Sequence, residues 1–118
     1  MSHAFDLIVT GDLYKSGFRF YAQEKGIEMG ITGTISYYGE AGDVFIHAEG
    51  DEVILQQYID WCARGLPYCK VYKVDVKVVP ILNYHSFDIV AANPVFVDYA
   101  EVEAPSRRKT LRLRIFGF

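Results

Sequence analysis

Along residues 1–90 the apolar residues switch back and forth between strand spacing and helix spacing, and that order restricts the chain to few folds. Phe5 to Val9 is a short apolar run closed by Thr10-Gly11, the pattern of a buried strand. A helix is expected from about Phe18 to Met29, with Phe18, Tyr21, Ala22, Gly26 and Met29 on one stripe and Gly30 as its stop. Ile31 to Tyr38 and Val44 to Glu49 read as two strands joined by a turn at residues 39–43. Asp51 is placed to cap a second helix, whose stripe is Ile54, Leu55, Tyr58, Trp61 and Cys62, and Gly65 ends it. A fourth strand runs from about Lys70 to Val79, and Phe87 to Val90 makes a short fifth. Strand, helix, strand, strand, helix, strand is a split βαβ order: α+β, one antiparallel sheet with both helices on a single face. Right-handed crossovers place the first and third strands side by side in the centre.

Two details refine this expectation. Gly26 inside the first helix costs about 1 kcal/mol relative to Ala, which makes sense if the helix packs closely on the sheet there. In the third strand Val44, Ile46 and Ala48 share the core face, so Phe45, His47 and Glu49 fall on the outward face, where His47 is expected as decoration.

A chain of 118 residues suits one domain with a core that needs no metal or disulfide staple. With 51% hydrophobic and 23% charged residues it is not intrinsically disordered as a whole. No run approaches the ~18 apolar residues that cross a bilayer, and Met1 to Asp6 lacks the basic start and apolar core of a secretion signal. Cys62 and Cys69 are too few for a disulfide scaffold and not spaced for zinc; Cys62 lies on a core stripe. His3, His47 and His85 have no metal-ligand spacing either. The expectation is a cytoplasmic protein with no metal, no cofactor and no membrane attachment.

Charge is uneven. The net charge is −3, yet residues 107–118 hold five basic residues and no acid, leaving the rest strongly acidic. Val95 to Glu103 and Thr110 to Phe118 both alternate, and Ala104-Pro105-Ser106 breaks them. Asp98, Glu101 and Glu103 on one arm against Arg112 and Arg114 on the other favour pairing. Residues 91–118 therefore read as a β-hairpin appended to a domain at 1–90. An isolated hairpin is marginal in water. It would lean on the open sheet face, where Phe45 and Tyr72 are expected to project, or on a second copy in a homodimer. The basic cluster at Arg107–Lys109 has the ingredients of a nucleic-acid contact, but the acidic body and the lack of a Gly-Phe-x-Phe strand argue against that partner.

The chemistry points to Gly11-Asp12-Leu13-Tyr14-Lys15-Ser16-Gly17-Phe18-Arg19. A strand ends, a tight loop follows, and a helix opens with an arginine in its first turn. The start of a helix is electropositive and its amides lack intrahelical acceptors, so basic residues here suit an anion of phosphate size. Arg19 could grip two phosphate oxygens through its planar fork. Alternatively Arg19 pairs with Asp12 or another nearby carboxylate and the loop only connects elements.

With these residues on the page, the chain resembles the acylphosphatase family over about residues 5–90. Gly11 and Phe18-Arg19 match the family's loop entering its first helix. Gly30-Ile31-Thr32-Gly33, Glu49-Gly50-Asp51-Glu52, Tyr58-Ile59-Asp60-Trp61, Arg64-Gly65, Val71-Tyr72-Lys73-Val74 and Phe87-Asp88-Ile89 continue the match in order. The resemblance implies a ferredoxin-like βαββαβ sandwich. It also implies hydrolysis of acyl phosphates to carboxylate and phosphate without metal or organic cofactor. In that family the loop amides and the arginine hold the phosphoryl group, and an asparagine on the next strand orients the attacking water. Carried over, Lys15, Ser16, Gly17, Phe18 and Arg19 would bind phosphate, with Arg19 and Tyr37 at the catalytic positions. Tyr37 stands where the family has asparagine, and Lys15 where it has a glycine. Two readings stay open: a hydrolase acting on a small phosphorylated ligand, or a non-catalytic anion-binding or self-associating module of the same fold.

Overall fold

The computed structural model describes residues 2–91, in the order β1 (Ser2–Gly11), α1 (Phe18–Glu28), β2 (Thr32–Tyr38), β3 (Asp43–Asp51), α2 (Glu52–Arg64), β4 (Val71–Val78) and β5 (Phe87–Ile89). The expected hairpin and the dimer built on it fall on residues outside this range. β1 extends beyond its apolar run because both its edges are paired, antiparallel to β3 on one side and to β4 on the other. The sheet order is β4-β1-β3-β2-β5, so the first and third strands are neighbours, as right-handed crossovers require.

The core lies between the sheet and the two helices. Leu7, Val9, Ile35, Val44 and Ile46 are buried from the sheet, Phe18 and Ala22 from α1, and Leu55, Tyr58 and Cys62 from α2. Tyr21, assigned to the α1 stripe by spacing, is half exposed. Tyr58 donates its hydroxyl to the Ala22 carbonyl at 2.7 Å, tying the helices together. Asp51 caps α2, accepting from the Val53 amide at 3.2 Å. Cys62 and Cys69 are both free and buried, and burial pushes the Cys62 thiol up to about 12, which leaves it unreactive. No helix among the described residues is long and apolar enough to cross a membrane.

Two expectations need correction. The four long strands pair antiparallel, but β5 lies parallel to β2, so the sheet is mixed. The reason is directional: β4 and β2 run in opposite senses, so β4 ends where β2 begins. The chain then crosses beneath the sheet and enters β5 in the sense of β2. The crossing can be followed by its hydrogen bonds: the Val79 amide to the Ala4 carbonyl, the Leu82 and Tyr84 amides to the Glu49 carboxylate, and the Gly33 amide to the Ser86 carbonyl.

The second correction concerns the face opposite the helices. His47 is on that face but does not decorate a surface: it is 5% exposed, and Phe45 and Glu49 are also buried, while Tyr72 does project into solvent. The crossing segment covers it, with the Tyr84 ring 5.4 Å from that of His47. The His47 Nδ1 lies 2.6 Å from Asp6 and its Nε2 2.7 Å from Glu49. Only an imidazolium can donate at both nitrogens. Burial opposes the charge on His47, but the hydrogen bonds and fields of Asp6 and Glu49 outweigh it and raise its pKa. Burial likewise opposes ionisation of Glu49, and His47 with the two backbone amides outweighs that and lowers its pKa.

Two measurements check these contacts. A Cβ at position 26 would run into the Phe87 ring, which is itself held edge-on against Tyr58. Gly26→Ala should therefore lose about 1–3 kcal/mol of unfolding free energy in urea, despite the better helix propensity of alanine. For His47, a raised folded pKa means its stabilisation is complete below its unfolded value near 6.5 and is lost as pH rises through the folded value. Wild-type stability should thus fall relative to His47→Gln as pH is raised from about 6 to 9. Lys77, opposite Asp6 on β4 and lowered by desolvation, titrates in both proteins, so the difference between them reports His47. A flat difference would show that folding does not raise the His47 pKa.

Candidate functional site

At the end of β1 the chain leaves the sheet under restraint from both directions. The register with β4 shifts between Thr10 and Gly11, and the Asp12 amide then bonds to the Lys70 carbonyl at 2.8 Å. The Tyr72 hydroxyl donates to the Asp12 carboxylate at 2.6 Å. Asp12 is thereby engaged away from Arg19, and no ion pair to Arg19 occurs among the described residues. The pairing of Arg19 with Asp12 or another carboxylate, which the connecting-loop alternative needs, does not occur among the described residues.

The loop Asp12–Gly17 is built around two anchors. Leu13 is buried, and its carbonyl accepts from both the amide and the hydroxyl of Ser16, at 3.1 and 2.7 Å. Ser16 Oγ accepts in turn from the Phe18 amide at 3.2 Å. From below, the Cys69 thiol donates to the Ser16 carbonyl at 3.5 Å. The chain reverses through left-handed backbone at Lys15, φ 59°, and at Gly17, φ 89°. A glycine takes that conformation freely, whereas a residue with a Cβ pays about 1–2 kcal/mol. Lys15 therefore keeps the backbone that a glycine would favour rather than reshaping the loop.

Gly17 is the N-cap of α1 and has no side chain to cap the helix; the Ser16 hydroxyl takes the first helical amide, that of Phe18. Its first turn contains Arg19 and no acidic residue. Among the described residues, the Gly17 and Arg19 N–H groups find no acceptor. These are the donors that a helix start offers to an anion. The amides of Ser16 and Phe18, expected as phosphate ligands, are used to hold the loop, and the Phe18 side chain is core.

Tyr37 reaches this loop from β2, where it pairs with Val44 of β3. Its hydroxyl accepts from the Lys15 amide at 2.8 Å. The Arg19 guanidinium carbon lies 4.0 Å from the centroid of the Tyr37 ring, well inside cation–π range. On another side the Tyr14 ring is 5.1 Å from that of Tyr37, and the Lys15 ammonium is 5.4 Å from the Tyr14 centroid. Lys15, Gly17, Arg19 and Tyr37 thus meet at one place, with Ser16 and Phe18 shaping it from behind. Tyr14, Cys69 and Tyr72 were not among the residues the sequence assigned to this site. Only Tyr14 carried a signal, its place within the loop; the other two come from a strand start more than fifty residues away.

The strain at position 15 is open to measurement. Lys15→Gly should raise the unfolding free energy by up to about 1 kcal/mol, left-handed strain outweighing backbone entropy, whereas Lys15→Ala should not. A Gly variant no more stable than the Ala variant would show that Lys15 is unstrained.

Comparison with known proteins adds to this geometry. The profile of the Acylphosphatase family matches residues 5–89. An acylphosphatase of Archaeoglobus fulgidus is 33% identical over 86 residues, covering 73% of this chain and 96% of that protein. Among solved structures, an acylphosphatase from Bacillus subtilis superposes with a TM-score of 0.70 at 30% identity, covering 76% of this chain and 99% of that one. One from Coxiella burnetii superposes at 0.71 with 22% identity, covering 75% and 93%, a likeness of fold. Sequence and fold agree: the chain belongs to the acylphosphatase family.

Proposed function

We propose that the protein binds the phosphoryl group of an acyl phosphate at the Asp12–Gly17 loop and hydrolyses it to a carboxylate and phosphate. The observation that carries this reading is the start of α1, where the Gly17 and Arg19 amides are open and the Arg19 guanidinium is free of any carboxylate among the described residues. A dianionic phosphoryl group entering here meets the positive end of the helix and a fork of N–H donors in one place.

Phosphoryl transfer asks mainly for position and charge stabilisation. The water oxygen bonds to phosphorus as the bond from phosphorus to the acyl oxygen breaks. The electron pair leaves on the carboxylate, and the water's proton passes to solvent. Charge that builds on the equatorial oxygens is met by the open amides and by Arg19. The family's asparagine has both a carbonyl and an amino group for a water, whereas Tyr37 has a single hydroxyl, already engaged with the Lys15 amide. That contact favours a second reading, in which the loop binds a phosphate-type anion without turning it over.

The two readings separate in one assay. With a small acyl phosphate, wild-type protein should release phosphate. Arg19→Ala should lose at least about 100-fold in rate with an unchanged circular dichroism spectrum, since a lost transition-state donor costs on that order. Turnover no faster than the Arg19→Ala control, with inorganic phosphate still bound by the wild type, would select the non-catalytic module.

A further inference from the structure

Tyr37 touches the loop in two chemically different ways, and each has its own consequence. Its hydroxyl is a neutral oxygen held at 2.8 Å by the Lys15 amide. That amide belongs to the loop whose open N–H groups face the same region, so an arriving phosphate oxygen and the phenol oxygen compete for one donor. The ring is a different matter. The guanidinium carbon of Arg19 lies 4.0 Å from its centroid, a face contact with the π cloud. A face contact consumes none of the five guanidinium donors, which radiate in the plane of the group. The ring thus holds Arg19 in place while leaving its hydrogen bonds for an oxyanion. Tyr14, 5.1 Å away on another side, braces the same ring.

We infer that Tyr37 is a positioning residue with two opposed effects on the site: its hydroxyl is an internal ligand that competes with phosphate for the Lys15 amide, and its ring pre-orients Arg19 for phosphate. This rests on the reading of the loop as a phosphoryl site and goes beyond it, because it assigns to this side chain a control of affinity that a water-positioning asparagine would not exert. Tyr37→Phe should remove the competing hydroxyl and keep the ring. Tyr37→Ala should remove both. The opposed effects therefore separate in two substitutions at one position.

The test is titration of full-length wild type, Tyr37→Phe, Tyr37→Ala and Arg19→Ala with inorganic phosphate. It is followed by amide chemical shifts, which also report whether each variant is folded. Tyr37→Phe should bind phosphate about three- to ten-fold more tightly than wild type, the range expected when one competing neutral hydrogen bond is removed. In the absence of phosphate, its Lys15 amide resonance should move away from the wild-type position. Tyr37→Ala should bind more weakly than Tyr37→Phe, because the guanidinium is no longer held. A purely structural tyrosine would not tighten binding in one variant and loosen it in the other. Equal or weaker binding by folded Tyr37→Phe, with phosphate still bound by wild type and lost in Arg19→Ala, would overturn the internal ligand and leave the phosphoryl site standing. Absence of phosphate binding from every folded protein in the series would overturn the site itself, and this inference with it.

Discussion

β1 is the interior strand on which the site depends, because β3 and β4 pair with it on both edges. A slip of one residue would break two ladders at once and turn its buried side chains, Leu7 and Val9 among them, to the opposite face. Gly11 is therefore delivered to one place, and the next bond, from the Asp12 amide to Lys70, fixes the direction in which the chain leaves the sheet. From there Leu13, buried in the core, and Phe18, the first residue of α1, are two apolar anchors with a short polar loop between them. Open amides at the helix start are a product of this geometry: the loop spends its Ser16 and Phe18 amides on itself and leaves those of Gly17 and Arg19 without an acceptor among the described residues.

The electrostatics follow from the same placement. Arg19 stands at the positive end of a helix dipole, an unfavourable position by roughly 0.3–1 kcal/mol in the absence of an anion. A carboxylate partner would relieve that cost and close the site. Among the described residues the guanidinium meets instead an aromatic face, which attracts it more weakly and takes up none of its hydrogen-bond donors. Asp12, the acid of the same loop, accepts instead from the Tyr72 hydroxyl. The outer face of the sheet uses the opposite solution: His47 is clamped between two carboxylates, and Glu49 also accepts the Leu82 and Tyr84 amides that carry the chain across to β5.

Local pattern made most of the framework legible. Both helices began and ended within a residue or two of the positions set by their stripes, by Asp51 and by Gly65, since capping and periodicity act over a single turn. The tight approach of α1 to the sheet was also foreshadowed, by a glycine where a helix former would be expected; its partner proved to be Phe87. The direction of β5 and the burial of His47 were not legible. Alternation tells which face a side chain takes, but not what lies on that face, and the covering segment at residues 79–86 has no regular periodicity to announce its path. Within the site, the loop and Arg19 could be marked from helix-start chemistry, whereas Cys69 and Tyr72 could not, because their contacts join residues distant in sequence.

Sequence alone determined the order of elements, the family, and the presence of a cationic loop at the start of a helix, because each of these is written in neighbouring residues and in their spacing. It also placed Tyr37 at the position where the resemblance implies an asparagine. What Tyr37 touches was decided only by tertiary structure. A tyrosine on β2 comes within 2.8 Å of the Lys15 amide and beneath the Arg19 guanidinium only after β3 has inserted between β2 and β1 and fixed their spacing. Hydrogen bonds and cation–π contacts decay over an ångström or two, so their existence depends on distances that no single stretch of chain contains.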